Sequence, residues 1–473
     1  MRLGVPLATA ISVPVVAAVV VSVAFFTLGI AATFADKAAI RTHVAAAFDN
    51  GELAEDLAPP IERGRVLRPY DDCLVLSMLL APYESPLDEV LFPKAPFGFG
   101  AGPCAYLHEI SRGRDQAGAD VPYPRYLFGG RTLLAPLVSA LSIRAARQTV
   151  YWASYAALMA ALLGLFLRRG RGSAGAPVSA PFTSFGVTLA ASMLGLYGIP
   201  FYGASLAFAA ADIAVYALLI FIFWIDLARL SLRQLLWLAS AFGAIIAQVE
   251  LLTGQAPLGL AVLVAAVALR PAQEASSGII QRCAGAAGAF TLSFVLCFAI
   301  KIAIVRLTTH YDLEGEFVSA LSFRMFGSIV SVTEAETEGA SRLGIDITQH
   351  AMYSPAAFAY LAAKLAYFSR VLGQGNLAAG LTAIALGVLG LVAGGWARWR
   401  RLQQAPARTQ TAALISAALV VPCWYLVFFQ HTIIHASFMI RPLVATIAIG
   451  LWLGGSEALA VLRVRGGKDI EHS

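Results

Sequence analysis

Residues 5–33 read VPLATAISVPVVAAVVVSVAFFTLGIAAT, without one charged side chain. The run exceeds the roughly 20 apolar residues that a helix needs to cross bilayer hydrocarbon. A secretory signal has a shorter apolar core, about 7–15 residues, and a small-residue cleavage site. With Arg2 before it, this stretch reads as an uncleaved first span whose N-terminus lies inside.

Further apolar runs follow at roughly 147–167, 184–200, 205–225, 234–252, 257–271, 283–305, 374–396, 410–429 and 440–457, which makes ten with the first. The run at 257–271 is short enough to tilt or to be re-entrant. Composition agrees: of 473 residues 59% are hydrophobic and 13% charged, with a mean hydropathy of +0.73. Soluble domains carry about 25% charged residues. The fold class expected is an all-α polytopic membrane protein. The net charge of +6 then belongs to cytoplasmic loops, and no nucleic-acid partner is expected.

Basic residues orient the bundle. With the N-terminus inside, every short inner loop is basic, from Arg168, Arg169 and Arg171 through Arg229 and Arg233, Arg270 and Arg282, and Arg398 to Arg408, to Arg463 near the C-terminus. The outer turns at 201–204 and 253–256 hold no Lys or Arg. This satisfies the positive-inside rule and predicts that both termini lie on the cytoplasmic side.

The expected organisation is a first span over 1–33, an extracytoplasmic loop over 34–146, six spans over 147–305, a second outer segment over 306–373, three spans over 374–457 and a tail over 458–473. FADKAAIRTHVAAAFDNGEL, in the first loop, has Ile40, Val44 and Phe48 at helical spacing. Regions 132–146 and 355–372 are apolar but hold Arg131 (just before the first), Arg144, Lys364 and Arg370, so they read as interfacial helices. Cys73 and Cys104 share the first loop. Both a disulfide and two free thiols remain open for them.

Ionisable groups inside a membrane are costly and point to function. Here they gather at the expected outer face. Asp71 and Asp72 follow the first span; Arg125, Tyr126 and Arg131 precede the second; Glu250 ends the fifth and Lys301 lies near the outer end of the seventh. His431, His435 and Arg441 lie in PCWYLVFFQHTIIHASFMIRPL, residues 422–443, beside Trp424 and Tyr425. Plainer readings exist. Lys301 suits snorkelling to the interface, the two aspartates suit helix capping, and Arg441 suits an interfacial anchor. His431 and His435 share a helical face, but no third ligand lies near them in sequence. No metal or other cofactor is therefore required, and a divalent ion is the minor alternative.

Several blocks resemble a broad family of bacterial multi-pass membrane proteins. A DxxTDxxML-like block corresponds to Asp71–Met78, a YxRYWHGYxxxLRPLL block to Tyr123–Leu137 and a YFGxSLSHG-like turn to Tyr202–Phe208. An FDxLTxPxxxL block corresponds to Glu250–Leu258, a YxxxWxxKW block to Phe294–Ile302 and PxxWYxxxxNHxxxHxxFxxRxL to Pro422–Leu443. Departures are Leu127 and Phe128 for Trp-His, Glu250 for Asp, Gln430 for Asn, Phe208 at a His-like position and Ile302 for the Trp after Lys301. The layout, with an acidic first outer loop, is similar to GT-C membrane glycosyltransferases, which use polyprenyl-phosphate-linked sugars.

That resemblance implies a bacterial inner-membrane location and glycosyl transfer from such a donor to a glycan, lipid or protein acceptor. Asp72, with Asp71 beside it, is then the expected general base. Lys301, Arg125, Arg441, His431 and His435 face the phosphate, and Arg131 also belongs to the substrate-binding set. Trp424, Tyr425 and Tyr126 form a floor for the sugar, and Glu250 orients it. The rivals are a transporter or flippase of a lipid-linked sugar or other anion, and a non-catalytic envelope scaffold. A transporter needs polar residues along the path to the inner face, and apart from Asp226 the inner halves show almost none.

Overall fold

The structure, a computed structural model, describes residues 6–54, 69–114, 120–124, 127, 129–170, 180–225, 227, 229–250, 253–269, 275–327 and 353–470. Helices dominate it. Seven are long and apolar enough to cross a membrane: Leu7–Ala32, Ile143–Leu167, Leu232–Val249, Ser276–Thr308, Leu377–Arg401, Ala405–Val427 and Ala436–Leu462. Shorter apolar helices at Pro181–Leu196, Ala209–Trp224 and Gln255–Ala268 occupy the other three expected positions.

The helix Gln255–Ala268 is nearly enclosed by protein along its whole length. Its 14 residues reach about 21 Å, short of the roughly 30 Å hydrocarbon layer. It serves as the core around which Leu206–Trp224, Ser276–Thr308, Ala405–Val427 and Leu443–Ile470 pack. The first helix, Leu7–Ala32, lies outside them against Leu232–Val249 and Ser276–Thr308, and Val15, Val16, Val19, Val20 and Val23 stay exposed. Only a chain solvated by lipid leaves such a row uncovered without penalty.

One end of the bundle carries a second layer. Asp36 caps helix Lys37–Asp49 by accepting from the amides of Ala38 and Ala39. As the spacing predicts, Ile40 and Val44 are buried, and Phe48 packs at the margin. Helix Pro69–Leu80 lies beside helix Pro103–Ser111, joined by a Cys73–Cys104 disulfide. Two-residue strands, Lys94–Ala95 and Val121–Pro122, pair antiparallel. Helix Gly129–Ala140 completes the layer. The chain then breaks at Ser142 and enters the long helix Ile143–Gly170, so the second span starts four residues before the expected 147.

Near the C-terminus, Gly387, Gly390 and Gly394 abut Gly450 and Gly454, and a Cβ on Gly390 would overlap the Gly450 carbonyl. Helix Leu377–Leu389 widens into a π turn, Gly390–Gly394, along this contact. Such a turn accommodates an extra residue without ending the helix. At the opposite end from the second layer, Arg401 and Arg398 hold Glu457 at 2.7 and 3.6 Å.

Candidate active site

Asp71 and Asp72 open the helix Pro69–Leu80. Successive helical residues point about 100° apart, so the two carboxylates meet different surroundings. Asp72 is 1% exposed. Its Oδ2 receives Arg147 Nη2 at 2.7 Å and Nε at 3.0 Å. Its Oδ1 receives the Ser205 hydroxyl at 2.7 Å and the Ala207 amide at 3.1 Å. That amide lies in the first turn of helix Leu206–Trp224, where a carboxylate satisfies orphan N–H groups and the dipole. The expected base is thus a tie between three helices.

Asp71 instead lines a cavity of about 190 Å³. Tyr70, Phe97, Tyr123, Phe208 and Phe438 give it aromatic walls, and Thr253, Arg324, His431 and His435 add polar groups. His431 is delivered by a short helix, Phe429–Ile434, and His435 caps its C-terminus. The helix runs across the bundle end, where Phe429 and Ile433 pack on Ala357, Tyr360 and Leu361. The two imidazole centroids are 4.5 Å apart, and His435 stacks on Phe438 at 4.9 Å. Arg324, on helix Leu313–Phe326, places Nη1 2.7 Å from His431 Nδ1. A guanidinium only donates, so His431 accepts at Nδ1 and carries its proton on Nε2. Among the described residues no three His, Cys, Asp or Glu side chains gather as a metal site.

Arg324 also lines a second, larger space of about 430 Å³. Apart from Arg324 and Thr291 its lining is apolar, with Phe294, Phe298, Ile302, Phe317, Leu321, Met325, Trp424 and Phe428. Trp424, expected beneath a sugar, belongs to this groove and packs on Phe428 at 4.3 Å.

The other expected site residues are placed elsewhere. Arg441, 0% exposed, is paired with Asp212, itself 1% exposed, inside the bundle. Asp212 also accepts from the Tyr197 hydroxyl at 2.7 Å and Gln255 Nε2 at 2.9 Å. The guanidinium lies over the Tyr197 ring, 4.2 Å from its centroid. The Tyr425 hydroxyl donates to the Met439 carbonyl. Glu250 accepts from the amides of Gly254 at 2.7 Å and Ala256 at 2.6 Å, which caps helix Gln255–Ala268. Burial pushes its carboxyl up to about 7, against the opposing pull of those amides.

Arg131 and Lys301 meet in a separate recess. Arg131 donates to the carbonyls of Glu89 at 2.5 Å and Met78 at 3.3 Å, and Lys301 to that of Pro124 at 2.6 Å. Arg125 and Tyr126 lie outside the described residues. Of the expected set, then, Asp71, His431 and His435 share one cavity. Arg324, Asp212 and Arg147 were not singled out from the sequence. Asp212 is a lone acid in LAFAAADIAVYALL, which is the pattern that marks an intramembrane charge.

Comparison of the chain with known families, curated proteins and solved structures returns no match.

Proposed function

We propose that the chain is a membrane glycosyltransferase that moves a sugar from a polyprenyl-phosphate donor to an envelope acceptor, using the cavity lined by Asp71, His431, His435 and Arg324. One observation carries this: Arg324 lines both the apolar groove and the polar cavity. A lipid phosphate has the matching division, an apolar chain joined to an anion. The chain lies in the groove between Ser276–Thr308, Leu313–Phe326 and Ala405–Val427. The phosphate meets the guanidinium, and the sugar occupies the aromatic-walled cavity.

In the transfer step the acceptor oxygen attacks the anomeric carbon and forms the new glycosidic bond. The bond from that carbon to the phosphate oxygen breaks, and its electron pair leaves with the polyprenyl phosphate. Asp71 takes the acceptor proton. Arg324 offsets the charge on the departing phosphate. His431, through Nε2–H, and His435 hydrogen-bond the phosphate or the sugar hydroxyls. Asp71 replaces Asp72 as base because two donors from Arg147, one from Ser205 and one from Ala207 already occupy the Asp72 carboxylate.

The extracytoplasmic side is assigned to the cavity end on two grounds. A disulfide such as Cys73–Cys104 persists in an oxidising compartment, and the basic loops belong to the opposite end. Transport is the weaker reading: below the cavity lie the Arg441–Asp212 pair and the enclosed helix Gln255–Ala268, which block a path to the other face.

The test is a reconstituted transfer assay with polyprenyl-phosphate sugars. Asp71→Asn is expected to abolish product, and Arg324→Met to lower turnover about 100-fold or more, as loss of an electrostatic stabiliser does. Wild-type-level product from Asp71→Asn removes this base. Movement of labelled lipid across vesicles without a covalent product favours transport.

A further inference from the structure

Thr253 lines the cavity assigned to the sugar. It stands in the turn between helices Leu232–Val249 and Gln255–Ala268. Its hydroxyl donates to Gln255 Oε1, and Gln255 Nε2 donates to Asp212 Oδ1 at 2.9 Å. Asp212 also holds the Arg441 guanidinium and the Tyr197 hydroxyl. A hydrogen-bonded series thus runs from the cavity wall at Thr253 to the buried ion pair in the bundle core.

The far end of the series fixes the direction of every bond in it. A carboxylate paired with a guanidinium only accepts. The Gln255 amide therefore turns its NH2 group to Asp212, which leaves its carbonyl oxygen for Thr253. That carbonyl only accepts, so the Thr253 hydrogen is committed to Gln255. A hydroxyl has one hydrogen and two lone pairs, so toward an occupant of the cavity Thr253 can only accept. Bonds aligned in one direction also polarise one another, which strengthens the Thr253 oxygen as an acceptor. Asp71, the proposed base, accepts too, whereas Arg324 and His431 Nε2 donate. The donors suit phosphate oxygens. An ionised phosphate has no hydrogen to offer Thr253, and a sugar hydroxyl has one.

We propose that Thr253 is a specificity-determining contact of the sugar subsite, accepting a hydrogen bond from one free hydroxyl of the sugar. Gln255 and Asp212 are positioning residues that hold Thr253 in its accepting state. The contact rests on the reading of this cavity as the sugar site, and it selects against a sugar that lacks that hydroxyl.

Titration calorimetry on the purified full chain in neutral detergent reads binding, so transfer plays no part in the outcome. The probes are short-chain prenyl phosphates carrying glucose, galactose or mannose, and the same prenyl phosphate without a sugar. For the glycoside that binds most tightly, each hydroxyl is replaced in turn by hydrogen or by fluorine. At the position that meets Thr253, the deoxy analogue is expected to bind the wild-type chain about tenfold more weakly than its parent, the equivalent of a lost hydrogen bond. The fluoro analogue is expected to bind as weakly, because fluorine has no hydrogen to give; this holds whether or not a variant folds. In Thr253→Val that penalty is expected to vanish while the penalties at other positions stay, and in Thr253→Ser it is expected to return. A purely structural threonine would weaken parent and analogues alike. Glycosides that bind no tighter than the sugar-free phosphate overturn the sugar reading and this contact with it. Sugar-dependent binding in which no analogue is weakened, or in which Thr253→Val keeps every wild-type penalty, overturns the contact alone.

Discussion

Asp71 and Asp72 are neighbours in the chain, yet one lines the aromatic-walled cavity and the other is clamped 2.7 Å from Arg147. Their substitutions separate into chemistry and stability. Removing one partner of a buried ion pair typically costs about 3–5 kcal/mol. Asp72→Asn is therefore expected to lower the thermal midpoint and the yield of folded protein. Asp71→Asn is expected to leave the midpoint near wild type and to remove the proposed transfer activity. Unfolding curves measured beside the transfer assay check both outcomes.

The Arg441–Asp212 pair predicts strong coupling. Arg441→Met leaves a buried carboxylate, and Asp212→Asn leaves a buried guanidinium; each is expected to destabilise by about 3–5 kcal/mol. The double variant is expected to lose clearly less than the sum, because neither charge then stays behind. Thermal unfolding of all four proteins closes the cycle. Additive losses would show that the pair does not act as a unit.

The Cys73–Cys104 bridge closes a sequence separation of 31 residues. A loop of that size restrains the unfolded chain by about 3–4 kcal/mol in the chain-entropy account. Cys73→Ser with Cys104→Ser is expected to lower the midpoint by that equivalent. In whole cells the two thiols are expected to resist a membrane-impermeant alkylating reagent until a reductant is added. Labelling without reductant would place the pair in a reducing compartment.

Glu250 gives stability a pH dependence of definite sign. Its carboxyl is raised from the usual 4.5 to about 7, chiefly by burial. A raised acid favours folding while it is protonated. Its contribution is full below about 4.5 and is lost as pH rises through about 7. Glu250→Gln, neutral at every pH, is expected to flatten the fall in midpoint between about pH 4.5 and pH 7, the interval from the unfolded to the folded value. An unchanged slope would assign that fall to another group.

Apolar length was readable along the chain: apolar helices stand at all ten expected positions, seven of them long enough to cross a membrane and three shorter, among them Gln255–Ala268. Partner choice was not. Hydropathy marks a segment as apolar but does not say which flank of a helix meets which neighbour. Asp72 was therefore the expected base although Asp71 is the one that lines the cavity, and Arg441 suited a phosphate until Asp212 appeared opposite it. Arg324 sits in a mixed outer segment, where charged residues are common and carry no signal of their own. His431 and His435 were legible together because their spacing of four stacks them on one side of a turn, and they do line the cavity with Asp71.

The layer over the cavity is fastened several times. Cys73–Cys104 joins two of its helices, Asp72–Arg147 bolts it to a long helix, and Arg131 grips the carbonyls of Met78 and Glu89. A roof so fixed does not lift like a hatch. On the proposed function, a lipid-borne substrate must slide in under the eaves through the apolar groove. Supply then follows the crowding of that lipid within the two-dimensional sheet, and diluting the surrounding water at constant membrane composition leaves the rate unchanged.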